Sequence, residues 1–300
     1  MTTAASAMNV FDRRLLRQRR NRAAADFPDF DFLYQAVGDQ LVDRLDTVRK
    51  ELLVIADLGA GTSTLSKSLR HRRGTQTVIN LDMSPAMAQR ARGLAVVADE
   101  DLLPLRPQSL DAVVANLSLH WVNDLPGALA QIRMALKPDG VFLAAVMGGE
   151  SLHELRTSLM EAETAVRGGV SPRVSPLIDM QDMSALMQRA GFALPVIDRD
   201  TISVDYASPF NLMHDLRGMA ATNATVHRDR APVPKKLMME AARIYADKFP
   251  AEEEEGGVCA TFDIIYVIGW APADSQPKPL KPGSATARLA DVLGTDEKKI

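Results

Sequence analysis

The residues best suited to chemistry begin at the turn Asp57-Leu58-Gly59-Ala60-Gly61. An apolar run leads into it and helical spacing follows. Glycines let a backbone approach a ligand closely, and a helix start offers free N–H groups. Three further positions reinforce this turn. Asp82, followed by Met83, ends a second apolar run. A carboxylate about 20 residues beyond a glycine turn can accept hydrogen bonds from both hydroxyls of a ribose. Asp99 and Glu100 end a third run, where a carboxylate can accept from the exocyclic amine of adenine. Asn116 and Ser118 end a fourth. Taken singly, Asp82 or Asp99 reads equally well as a helix cap. Together the four positions describe a nucleoside-type cofactor site at the C-terminal edge of a sheet, where open α/β folds bind ligands. Thr64 stands where a dinucleotide fingerprint would place its third glycine, which disfavours a pyrophosphate cofactor.

The elements that must position these residues alternate. Strands are predicted at 52–59, 77–82, 95–99, 110–119, 141–147, 195–206 and 262–270. Helices are predicted at 62–71, 85–92, 125–136, 150–166 and 179–190, with two more near 209–219 and 234–249. This alternation predicts an α/β fold with a largely parallel sheet and helices on both faces. Met180, Met183 and Met187 recur at helical spacing and read as a core stripe. The chain divides into an N-terminal helical arm (1–48), a cofactor-binding domain (49–270) and a flexible tail (271–300). Segments 148–177 and 207–260 are expected as insertions on the substrate side.

Bulk properties exclude several classes. The 300 residues are 46% hydrophobic, enough for a sizeable core, and a net charge of −3 makes no case for nucleic acid. No apolar run reaches the roughly 20 residues that span a bilayer. The single cysteine, Cys259, excludes a disulfide framework within the chain and reads as a small core residue. The five histidines show no metal-binding spacing, so no metal is expected. Glu252 to Glu255 read as a solvated turn. Arg13, Arg14, Arg17, Arg19, Arg20 and Arg22 form a basic stretch. It reads as a solvated amphipathic helix, or as an arm that docks on an acidic partner or an anionic membrane surface. Residues 1–10 hold no Arg or Lys, so the expected location is the bacterial cytoplasm, or the mitochondrial matrix for a mature organellar protein.

Candidates to touch a substrate are fewer. His120 and Trp121 follow the fourth strand; the first can shuttle a proton and the second can stack on a guanidinium, although a packing role for His120 is an equal reading. Glu150 and Glu154, four apart on one predicted helical face, can grip an arginine, although a solvated face is the reading preferred for them.

The turn DLGAGTS (57–63) resembles motif I of class I S-adenosylmethionine methyltransferases, with Ser63 where that superfamily commonly has glycine. The resemblance implies S-adenosylmethionine as cofactor. It also implies a Rossmann-like sheet of seven strands, the last antiparallel, with helical insertions. Further segments extend the likeness over nearly the whole chain. They include MNVFDRRLLRQRRNRAA (8–24), ADEDLLPL (98–105), NLSLHWVNDLPGAL (116–129), LKPDGVF (136–142), GGESLHELR (148–156), GGVSPRVSP (168–176), RAGF (189–192), DLRGM (215–219), YVIGW (266–270) and GSAT (283–286). These are similar to the family of mitochondrial respiratory complex I assembly factor five and its bacterial relatives. That resemblance implies hydroxylation of an arginine in the quinone-side iron–sulfur subunit of NADH:quinone oxidoreductase during assembly. A weaker resemblance, to the malonyl-acyl-carrier-protein O-methyltransferases of biotin synthesis, covers the glycine turn and the segments after the fourth and fifth strands. It implies methyl transfer to a carrier-bound substrate. A non-catalytic assembly chaperone is the third reading.

Overall fold

The computed structural model describes residues 9–252, 256–277 and 294. The GSAT segment, most of the tail and Glu253 to Glu255 lie outside the described residues.

Seven strands form one sheet: β1 (Val54–Leu58), β2 (Thr77–Asp82), β3 (Leu94–Val97), β4 (Leu110–Asn116), β5 (Leu136–Met147), β6 (Ala193–Tyr206) and β7 (Val258–Trp270). Their order is β3-β2-β1-β4-β5-β7-β6. The pairings from β3 through β5 are parallel, and β7 runs antiparallel to both β5 and β6. This is the Rossmann-like methyltransferase arrangement that the sequence implied. Every residue of β4 is buried, as a strand covered by helices on both faces requires. β5 starts five residues earlier than its apolar run, and β7 four residues earlier, because each gains backbone pairing with a neighbour beyond the apolar stretch.

The helices are α1 (Arg13–Ala23), α2 (Phe32–Asp46), α3 (Ser66–His71), α4 (Pro85–Arg90), α5 (Leu125–Ala135), α6 (His153–Arg167), α7 (Met180–Arg189), α8 (Pro209–Gly218) and α9 (Lys235–Lys248). Side-chain caps fix several starts. Asp12, Ser84, Asp124, Asp179 and Ser208 each accept a backbone N–H two or three residues inside the helix they precede. Met183 and Met187 are fully buried against Phe192 and β7, while Met180 faces outward at 43% exposure.

Among the described residues that precede β1, α2 is part of the core. Leu33, Val37, Leu41 and Leu45 of α2 are fully buried in the same cluster as residues of β1, β4 and β5. α6 and α9 pack on one another, and Leu155, Leu159, Leu237 and Ala241 join that cluster. No helix among the described residues is long and apolar enough to cross a membrane.

Candidate active site

The glycine turn takes the shape its residues allow. Gly59 and Gly61 have φ of 68° and 57°, and the Gly59 and Ala60 amides donate to the Leu81 carbonyl at 2.7 and 3.0 Å. A Cβ on Gly59 would stand 2.2 Å from the Cβ of Ser118, whose hydroxyl donates to the Leu58 carbonyl. Only glycine fits there. Ser63 also has positive φ, 67°, at the position where the superfamily commonly has glycine. Its hydroxyl donates to the Thr62 carbonyl and accepts from the Arg92 amide at 2.7 Å, which offsets part of that strain. α3 therefore begins only at Ser66, later than helical spacing predicted. Leu117, between Asn116 and Ser118, and Ala220, which lines the cleft, are likewise left-handed.

The structure brings Asp57, Gly59, Ala60, Gly61, Asp82, Met83, Glu100, Asn116 and Ser118 to one cleft at the C-terminal ends of β1, β2 and β4. Asp99 sits at its rim. Asp57 and Asn116 line a small cavity with the glycine turn, Phe27 and Tyr34. Asp57 accepts from the Ser66 hydroxyl at 2.9 Å and Asn116 donates to the Tyr34 carbonyl at 2.8 Å. The second oxygen of each, Oδ1, is buried with no donor. Two orphaned acceptors beside a glycine turn match a ligand ammonium. Burial pushes the Asp57 carboxyl up to about 7.

Asp82 is already saturated. It accepts from the Gly61 amide at 2.9 Å and the Ser84 amide at 2.8 Å, and the Arg20 guanidinium grips both its oxygens. A carboxylate has about four acceptor sites, and all are used. Burial opposes the Arg20 charge, but Asp82 outweighs it and the Arg20 pKa is raised. Arg13 pairs with Asp99 at 2.5 Å and with Glu100, and donates to the Trp121 carbonyl at 3.1 Å. Burial raises the Glu100 pKa against the pull of Arg13. The two cavities left in this cleft are about 10 Å³ each. Arg13 and Arg20, read from sequence as part of a solvated stretch, are thus folded inward, and Arg20 is only 7% exposed. The one sequence signal for this was the unmatched acidity of Asp82, Asp99 and Glu100. Phe27, Asp31 and Tyr34, which close the glycine turn from α2 and its preceding turn, carried no such signal.

His120 and Trp121 form a short 3-10 turn after β4. His120 Nδ1 accepts from the Met147 amide at 3.5 Å, so Nε2 carries the proton and has no acceptor. Burial, with Arg20 nearby, pushes its pKa down to about 3. A neutral ring is therefore fixed here across the physiological range. Trp121 packs edge-on to Phe11 and lines the cleft beside Met83.

The predicted Glu150–Glu154 face does not form. Leu152 has φ of 56°, so α6 starts at His153 and Glu150 lies in the preceding turn, exposed. Glu154 is 3% exposed and accepts from the Thr261 hydroxyl of β7, in the core and away from the cleft. Among the described residues no group of three or more His, Cys, Asp or Glu is placed to hold a metal ion.

Comparison with known proteins agrees with this geometry. Residues 56–144 match the family model described as a methyltransferase domain. The YcgJ protein of Bacillus subtilis shares the fold at a TM-score of 0.55 and 14% identity, over 78% of this chain and 99% of that one. The malonyl-[acyl-carrier protein] O-methyltransferase of Halorhodospira halophila is 35% identical, over 86% of this chain and 88% of its own length. The mitochondrial arginine-hydroxylase NDUFAF5 of Mus musculus is 38% identical, over 99% of this chain and 89% of its own length. The chain belongs to the arginine-hydroxylase NDUFAF5 family, on a methyltransferase fold.

Proposed function

We propose that this protein binds S-adenosylmethionine in the cleft below α1 and hydroxylates an arginine of a protein substrate, the quinone-side iron–sulfur subunit of NADH:quinone oxidoreductase. The observation that carries the cofactor reading is the pair of orphaned acceptors, Asp57 Oδ1 and Asn116 Oδ1, beside a glycine turn that admits no side chain at Gly59. They receive the cofactor's ammonium. Gly59, Ala60 and Gly61 bring backbone close to it. Asp82 takes the ribose hydroxyls, Asp99 and Glu100 take the adenine amine, and Met83 and Ser118 pack beside them. The arginine reading rests on 38% identity to a protein named arginine-hydroxylase over nearly the full chain.

S-adenosylmethionine supplies a methyl group on a cationic sulfonium. Oxygen insertion into an arginine side chain is a two-electron oxidation and draws on a separate oxidant. The chain's own residues bind, orient and exclude water. Trp121 offers an aromatic face for a guanidinium. Neutral His120 is a positioning residue that holds the end of β5 through the Met147 amide. Arg20 must release Asp82 before a ribose can bind, so α1 shifts as the cofactor loads. Arg14 and Arg22 remain outward and supply contact with an acidic or anionic surface, while Arg17, half exposed, pairs with Asp99 at 3.6 Å. The reaction takes place in the bacterial cytoplasm or, as in the relatives named mitochondrial, in the matrix.

The test is peptide mass spectrometry of the quinone-side subunit from cells with and without the gene. An arginine heavier by one oxygen only when the gene is present is the expected result. A gain of one methylene makes the protein a methyltransferase. No difference overturns the reading and directs the next assay to a malonyl carrier.

A further inference from the structure

A second, far larger space lies beside the cofactor cleft and is not absorbed by the reading above. It is a cavity of about 540 Å³ between α6, α8, α9 and the connection 219–234. Its floor is the main hydrophobic core, met at Leu155, Leu159, Leu216 and Met238. Such a floor with a few convergent polar groups has the composition of a small-molecule site, and the volume lies in the usual range.

The charged groups are predominantly of one sign. Arg19, Arg173, Arg217, Arg228 and Arg230 line the cavity, against one carboxylate, Asp229. Asp229 is already held by Arg167 at 2.6 Å and Arg173 at 3.3 Å. Arg228 pairs with Asp12 at 3.3 Å, and Arg19 is spent on the Thr222 and Asn223 carbonyls at 2.7 Å. Arg217 and Arg230 are exposed at the rim with no ion pair among the described residues. Burial, then the neighbouring Arg228, lowers the Arg19 pKa, as expected where positive charge is under-compensated. A guanidinium substrate would be repelled from this space, so it is not where the target arginine binds.

We propose that the cavity binds a single-chain anionic amphiphile, with a carboxylate or phosphate head at Arg217 and Arg230 and its hydrocarbon chain along the apolar floor. Charge complementarity fixes the head and the depth of the apolar floor fixes the tail. The proposal rests on neither the cofactor nor the arginine chemistry, so its failure leaves that reading standing.

The test is calorimetric titration of the full chain with laurate, dodecyl phosphate and dodecanol, each kept below its aggregation limit. One of the two anions, or both, should bind, and dodecanol at least tenfold more weakly than the better anion. Lengthening the chain from 8 to 12 carbons should tighten binding by up to about fourfold per methylene. The surface double variant Arg217→Ala, Arg230→Ala should lose tenfold or more for the anion. Met238→Trp, which fills the cavity, should abolish binding while the melting temperature of the protein stays near wild type. Equal affinity for dodecanol, wild-type affinity in either variant, or no binding of either anion overturns the proposal. So does binding to anionic phosphatidylglycerol vesicles that survives Met238→Trp without any uptake of monomeric laurate, which would mark a membrane-facing patch instead.

Discussion

The acidic cleft and the cavity beside it are built on opposite plans. The cleft is polar, buried and filled: two arginines of α1 neutralise its carboxylates and leave spaces of about 10 Å³. The cavity has an apolar floor, is open and carries more positive than negative charge, at about 540 Å³. One helix serves both, because Arg20 reaches the cleft while Arg19 reaches the cavity. Adjacent residues on a helix point about 100° apart, so neighbours in sequence face different sites. The contrast shows that a closed polar cleft stores its specificity in ion pairs that a ligand must displace, whereas an open apolar cavity waits for a ligand to complete it.

The sharpest way to break this contrast is to remove one buried partner. Asp82→Ala strands the Arg20 guanidinium in a buried site and should cost about 3–5 kcal/mol of stability in urea unfolding. Cofactor affinity in calorimetry should also fall by about 1–3 kcal/mol. Wild-type affinity in a folded variant would remove Asp82 from the site. Gly59→Ala should cost about 2–4 kcal/mol, from positive φ and collision with Ser118. A variant that melts with wild type would mean that the turn is looser than described. Arg20→Met keeps the bulk of the plug and removes its charge. If the plug competes with the ribose, S-adenosylmethionine should bind about tenfold tighter, near 1.4 kcal/mol. Weaker binding would make Arg20 a ligand of the cofactor instead of its rival.

A pH series separates the two regions without mutation. Asp57 has a raised pKa of about 7, so its protonated form stabilises the fold; that contribution is full below 3.8 and is lost as pH rises through 7. His120 runs the other way. Its lowered pKa of about 3 gives stability that is full above 6.5 and is lost as pH falls towards 3. A bound ammonium favours ionised Asp57, so cofactor affinity should climb from pH 6 and level off above pH 8. A flat calorimetric profile would take Asp57 out of contact with the ligand, and binding of laurate in the neighbouring cavity should show no such step. The smallest effect belongs to Glu150→Ala. With its side chain exposed in a turn, stability should change by less than about 0.5 kcal/mol and arginine modification should persist. Lost modification with intact folding would restore a substrate role to Glu150.

Much of the cleft was legible because its residues sit at strand ends. Asp57, Asp82 and Asn116 were located by apolar runs of countable length, and a parallel sheet brings such ends to one edge. What failed was any inference that needed a backbone angle or a side-chain direction. Glu150 and Glu154 have helical spacing, yet a leucine at φ 56° delays the helix, and nothing in the residue type Leu announces a left-handed conformation. Arg20 and Arg17 are the same residue type three positions apart on one helix; one is buried on Asp82 and the other is half exposed.

The sequence by itself determined the sheet, its strand ends and the family, since periodicity and local motifs are properties of neighbouring residues. Only the tertiary structure decided that the basic N-terminal helix closes the acidic cleft and walls the cavity beside it. Those pairings join residues 62 or more positions apart, from Arg20 to Asp82 and from Arg13 to Asp99 and Glu100. Attraction between charges depends on separation in space, and spacing along the chain does not fix it.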